Sequence, residues 1–302
     1  MQTLQLLLSG IAQGMIYALV AFGYNITFST SRTINFSLGN FLMLGGVVAF
    51  VLFMTRELPF ALALGAVILV GAVGGAILLK VAVEPSLKRH SAYGWILATL
   101  AVSIVLRNAV EVFWSTDDFR FNSPLGDSPL RLFGERDAQG VVQGGVGVYP
   151  QELLVIGVSL AIVAAVEVFK RKTMFGRAVL AVSEDKDAAS LMGIDQRFVI
   201  LFSFMLSTAI ACVAGVLVAP LTLVSATMGT VLGVKAYAVS IVGGLESGFG
   251  VVVGGLLFGL SEALTARYLS TGYKDVPGFV LLIAVLLFRP SGLFGRTYVR
   301  KV

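Results

Sequence analysis

Four stretches of this chain, residues 1–31, 33–55, 58–79 and 198–234, hold no charged side chain. That feature decides the solvent. A bilayer core about 30 Å thick is crossed by roughly 20 apolar residues in a helix, and each stretch is long enough. Inside hydrocarbon the backbone must satisfy its own hydrogen bonds, which leaves helices or a closed barrel. Barrel strands read as short segments of alternating polarity, and the long continuous apolar runs exclude them. Only 13% of the residues are charged, against about 25% in soluble domains. The fold class is therefore all-α, a polytopic transmembrane helix bundle of about eight to nine spans with one or more broken helices.

Spans are expected near 5–28, 34–55, 58–79, 91–113, 152–169, 198–222, 231–245, 249–268 and 276–289. The 231–245 segment is short and rich in glycine, so whether it crosses fully stays open. Pro220 marks a break near the outer end of the long 198–234 stretch, because proline cannot continue a helix ladder. Residues 1–302 read as a single transmembrane domain with two long loops, 115–151 and 170–197. The first carries Asp117, Asp118, Pro124, Pro129 and the Gly144-Gly145 pair. The first positive charge, Arg32, lies beyond the first apolar run, so residues 1–28 read as a retained span and not as a cleaved signal.

Orientation follows from lysine and arginine in the loops. Arg32, three residues in 80–90, six in 170–197 and four in 289–302 make fourteen of the 22 basic residues on one side. That side is expected to be cytoplasmic, with the N-terminus outside and the C-terminus inside. The net charge of +5 is accounted for by this asymmetry and gives no support to a nucleic-acid partner. The single Cys212 and single His90 allow neither a disulfide within the chain nor a Cys/His metal cluster. His90 falls in a basic loop, and there is no His-Glu-x-x-His site, which excludes the common zinc-hydrolase design.

The inner loop contains Ser183-Glu184-Asp185-Lys186-Asp187-Ala188-Ala189-Ser190-Leu191-Met192-Gly193-Ile194. Ser183 is expected to cap a short helix whose first turn holds Glu184 and Asp185. Leu191 and Ile194 then share an apolar edge three residues apart, and Gly193 suits a helix end or a close contact. The docking element would cover 181–195. An acidic first turn disfavours an anionic lipid surface, so a protein partner is the expectation.

Asp187-Ala188-Ala189-x-x-x-Gly193 resembles the Glu-Ala-Ala-x-x-x-Gly loop of permease subunits of bacterial ABC importers. Along its length the chain is similar to the LivH-type permeases of branched-chain amino-acid importers. The supporting stretches are Thr33-Ile34-Asn35-Phe36-Ser37-Leu38-Gly39-Asn40, Gly233-Val234-Lys235-Ala236-Tyr237, Gly243-Gly244-Leu245 and Arg289-Pro290-Ser291-Gly292-Leu293-Phe294-Gly295-Arg296. The resemblance implies a bacterial inner-membrane subunit that pairs with a second, homologous permease. It also implies two ATPase subunits on the inner loops, which bind ATP and magnesium, and a periplasmic substrate-binding protein. The chain has no Gly-x-x-x-x-Gly-Lys-Ser/Thr phosphate loop, so it lacks that cradle for ATP and needs no cofactor of its own. Glu184, Asp187, Ala188, Ala189 and Gly193 are the expected coupling residues. Two departures from the family pattern stand out. Leu38 replaces a position often His or Gln, which widens the expected cargo to other apolar or aromatic amino acids, and Glu246 sits where glycine is common.

Polar residues inside spans are the remaining signal. Asn35, Ser37 and Asn40 open the second span around Gly39, and a broken start with backbone exposed to a cavity is one reading. Hydrogen bonds to neighbouring helices are the other. Arg107 and Glu111 stand one turn apart, as do Glu167 and Lys170, so local ion pairs are expected. Glu262 has no partner one turn away and reads as an interhelical contact or a pathway wall. Asn35, Ser37, Asn40 and Glu262 are thus the translocation-path candidates. Glycines four apart, Gly10/Gly14, Gly71/Gly75, Gly250/Gly254 and Gly255/Gly259, point to close helix packing. A self-sufficient ion-coupled transporter or channel is the rival function, and it would need a midplane carboxylate such as Glu262.

Overall fold

The structure is a computed structural model that describes residues 2–88, 93–123, 125–126, 128, 130–132, 135–136, 142–143 and 146–295. His90, Pro124, Pro129, the Gly144-Gly145 pair and Arg296 lie outside the described residues. Twelve α-helices follow in order: α1 Gln2–Ser31, α2 Leu38–Ala49, α3 Phe60–Leu78, α4 Glu84–Lys88, α5 Gly94–Phe113, α6 Pro150–Lys172, α7 Met174–Glu184, α8 Lys186–Leu191, α9 Gln196–Val218, α10 Met228–Gly243, α11 Gly248–Tyr268 and α12 Val276–Phe288. A π-helical stretch, Phe50–Thr55, prolongs α2, and another, Leu79–Val83, joins α3 to α4. Eight helical segments among the described residues are long and apolar enough to cross a membrane. Among the described residues, strands are confined to short pairs outside the spans.

The short 231–245 segment is resolved by parity. Leu223–Val224 pairs antiparallel with Phe119–Arg120 of the 115–151 loop, which fixes the chain at one end of the bundle. Glu246 pairs with Arg32 at the other end, beside the 170–197 loop, hereafter the basic end. The 16 residues of α10 therefore carry the chain back between α9 and α11, at about 24 Å from helical rise. Pro220 does end a helix: α9 stops at Val218. The second span starts at Leu38 and not at 34, because 33–37 is non-helical.

Helices α1 and α9 form the centre and are mostly buried, whereas α5 and α12 bury few of their residues and lie at the periphery. Lipid is as apolar as leucine, so helix association rests on close packing and hydrogen bonds across helices. Gly10 and Gly14 of α1 lie against the backbone of Gly259 and Gly255 of α11, where a Cβ would collide. Ser207 Oγ donates to Gly23 O at 2.9 Å and Thr208 Oγ1 to Gly71 O at 2.7 Å, each worth about 0.6 kcal/mol by typical membrane values. At the end opposite the basic one, Phe50 and Phe53 of the π-helical stretch pack on Trp114, Phe119 and Phe121.

Candidate functional site

The 170–197 loop folds as two helices, not one. Helix α7 runs to Glu184, and Ser183 Oγ donates back to Leu180 O at 2.7 Å. Ser183 is therefore not the cap. Asp185 is: in extended backbone, its carboxylate accepts from the amides of Asp187 at 2.9 Å and Ala188 at 3.0 Å. The expected 181–195 element thus splits, with 181–184 completing the amphipathic α7 and α8 starting afresh. At the far end of α8, Gly193 adopts φ +81°, and Ile194 N donates to Ala189 O at 3.1 Å. This is a left-handed helix stop, which glycine adopts without a Cβ penalty. Gly193 contacts nothing at its Cβ position, so its role is conformational and not one of close approach.

A small core separate from the membrane bundle holds this loop together. Val179, Val182, Ala189 and Val199 are its buried members, with Ile194 packed on them. Leu191 and Ile194 consequently part company. Ile194 turns in, while Leu191 is 89% and Met192 82% exposed. Asp187 and Ala188 are exposed, Glu184 lies on the surface at the end of α7, and Ala189 is turned inward.

Two long side chains tie the loop to the end of α1. Lys186 Nζ donates to Ser31 O at 2.8 Å, and Arg32 Nη2 donates to Ser183 O at 3.0 Å. Arg32 also pairs with Glu246, so the turn between α10 and α11 joins the same cluster. Burial pushes the Lys186 ammonium below the ordinary lysine range, Arg32 adds to the fall, and Asp187 opposes it.

The path candidates sit in two places. Asn35 and Ser37 are fully buried in the irregular segment before α2, where Asn35 Oδ1 accepts from Ser37 N at 3.1 Å and Ser37 Oγ at 2.6 Å. Asn40, in the first turn of α2, reaches α5: its Nδ2 donates to Ser103 O and Oγ, both at 2.6 Å. Gly39 makes room for α10, since a Cβ there would meet the backbone of Gly229 and Gly233. Glu262 is elsewhere and is not alone. Lys235 Nζ of α10 lies 2.8 Å from Glu262 Oε1 and 2.7 Å from Asp275 Oδ1, at the start of α12. Tyr17 OH of α1 donates to Glu262 Oε2 at 2.8 Å. The structure therefore does not bring Glu262 together with Asn35, Ser37 and Asn40.

Comparison with known proteins adds the deciding observation. The family model described as "Branched-chain amino acid transport system / permease component" matches residues 6–286. The chain belongs to this permease family. The permease is 31% identical to the high-affinity branched-chain amino acid transport system permease protein LivH of Escherichia coli K12, over 99% of its own length and 97% of that protein. It is 32% identical to BraD of Pseudomonas aeruginosa, a protein of the same description, over 99% and 98% of the two chains. A fructose import permease, FruF of Bifidobacterium longum, is 22% identical over 90% of the permease and 73% of its own length. No solved structure matches the permease.

Lys235, which organises the cluster around Glu262 in this permease, was not among the expected site residues. Lys235 was on view within Gly233-Val234-Lys235-Ala236-Tyr237, and its signal was an uncompensated cation inside an apolar segment. A charge at mid-membrane costs about 2.5–3.5 kcal/mol on insertion scales, so it demanded a partner. Glu262, the other unpaired charge in a span, was that partner. The local pairs fell where expected, with Arg107 Nε to Glu111 Oε1 at 2.8 Å and Lys170 Nζ to Glu167 Oε1 at 2.6 Å.

Proposed function

We propose that this multi-pass membrane protein is the permease subunit of an ABC importer that moves a branched-chain or related apolar amino acid. Partner subunits hydrolyse the ATP with bound magnesium. Two such ATPases dock on the 170–197 loops of this chain and of a second, homologous permease, and a periplasmic binding protein delivers the cargo. The basic end faces the cytoplasm, leaving the N-terminus outside and the C-terminus inside, in keeping with the loop charges. The chain carries transport and no chemistry of its own.

One observation carries this reading: α8 is capped at both ends, presents Leu191 and Met192 bare, and is roped to α1 through Lys186, with Arg32 gripping the adjoining end of α7. Exposed leucine and methionine on a rigid short helix suit a groove in a protein partner. Movement of that partner would shift α8, and the two side chains would pass the shift to α1 and the 243–248 turn as a rigid-body switch. Glu184, Asp187 and Ala188 flank the contact, while Ala189 and Gly193 hold its shape. The ion-coupled alternative needs a free carboxylate in the membrane, and the engagement of Glu262 by Lys235 weighs against it.

The test is a double substitution, Leu191→Asp with Met192→Asp. Co-purification of the ATPase and ATP-driven uptake of leucine should each fall at least roughly tenfold, since two desolvated apolar contacts are worth on the order of 3 kcal/mol. Normal ATPase retention together with normal uptake would end the docking assignment.

A further inference from the structure

At mid-depth in the bundle, a cavity of about 140 Å³ opens between α1, α2, α5 and α10. Its walls are Tyr24, Phe36 and Tyr237, and its polar groups are Asn40, Ser103 and Thr230. Ser103 stands near the middle of α5, about 14 Å along that helix from its start at 1.5 Å per residue. The cavity is thus well inside the span and not at a headgroup level.

Three features limit what it can hold. The rings form one connected wall, with Tyr24 and Tyr237 centroids 5.7 Å apart and Phe36 and Tyr237 5.3 Å apart. No charged side chain is among the described residues that line it, so nothing there grips a charged group tightly. Finally, the open side carries Thr230 and Val234, both exposed, next to the Asn40–Ser103 hydrogen bond. Polar groups at bilayer depth face protein or a water-filled passage and not hydrocarbon.

Resting on the importer reading above, we infer that this cavity is the half-site in which the permease receives the apolar side chain of the passing amino acid. The aromatic wall and Val234 contact the side chain. The Asn40–Ser103 pair and Thr230 form the polar rim that the ammonium and carboxylate cross. Its volume of about 140 Å³ admits an isobutyl or sec-butyl group, and the absence of charge keeps the contact brief. Selection by size at this point is the consequence, in addition to whatever the delivery protein selects.

The test uses the assembled importer in proteoliposomes, with radiolabelled leucine, alanine and phenylalanine supplied at saturating loaded binding protein. Val234→Phe fills the cavity and should lower the leucine-to-alanine uptake ratio at least fivefold. Val234→Ala enlarges it and should raise phenylalanine relative to leucine severalfold, and it serves if the larger substitution fails to assemble. ATP-driven uptake with unchanged ratios in both variants overturns the assignment, and a cavity occupied only by lipid gives that same result. Uptake by the unsubstituted chain that ignores loss of ATPase activity would instead remove the importer reading, so the two failures are told apart.

Discussion

Two charged clusters hold this permease together, and they do so under opposite conditions. At the basic end, Arg32 and Lys186 bind mainly backbone carbonyls and one carboxylate in partial contact with water. Within the bundle, Lys235 binds two carboxylates, and its own side chain is only 6% exposed. Water screens the first cluster and makes it cheap to open and reform, whereas a buried pair loses heavily when one member is removed. The first arrangement suits a joint that moves in each cycle. The second suits a joint that does not.

The comparison breaks most sharply at Lys235. Lys235→Met leaves Glu262 buried without its cation, at a cost of about 3–5 kcal/mol. The thermal midpoint of the detergent-solubilised complex should fall accordingly, and Lys235→Met with Glu262→Gln should recover most of the loss. A midpoint unchanged by the single substitution would show that the cluster holds nothing. Gly193→Val comes next. It places a β-branched residue at φ +81°, which costs about 1–2 kcal/mol, and should fray α8 and reduce ATPase co-purification severalfold while leaving the thermal midpoint of the spans in place. Retention at the wild-type level would separate the shape of α8 from docking. The smallest effect belongs to Glu246→Gln. Its pair with Arg32 is partly exposed and worth at most about 1 kcal/mol. Stability should barely change, and any change should vanish in high salt; a salt-independent loss would place this joint with the buried one.

The spans were legible because charge-free runs longer than a bilayer crossing admit one solvent. Arg107–Glu111 and Glu167–Lys170 were legible because a helix turn brings such residues together whatever the tertiary fold. Legibility failed where polar side chains of two helices had to meet. Lys235 and Glu262 lie on different helices, and no periodicity relates them. Ser183 and Asp185 are both good caps by residue type, and only the small core around Val179, Val182 and Val199, which draws α7 on to Glu184, selects the second. That same core turned Ile194 inward and left Leu191 outside, separating two residues that spacing had put on one edge. Of the path candidates, Asn40 opens onto a cavity, whereas Glu262 belongs to the static cluster.

Helix α1 runs unbroken for 30 residues, roughly 45 Å at 1.5 Å per residue, and its last turn is the one gripped by Lys186. A stiff rod held at one tip and bedded on glycine along its flank behaves as a see-saw. Tipping it by about 5° about its middle would swing the far tip by roughly 2 Å. A nudge at the basic end would thereby be felt at the opposite end of the bundle, without any element having to unfold in between.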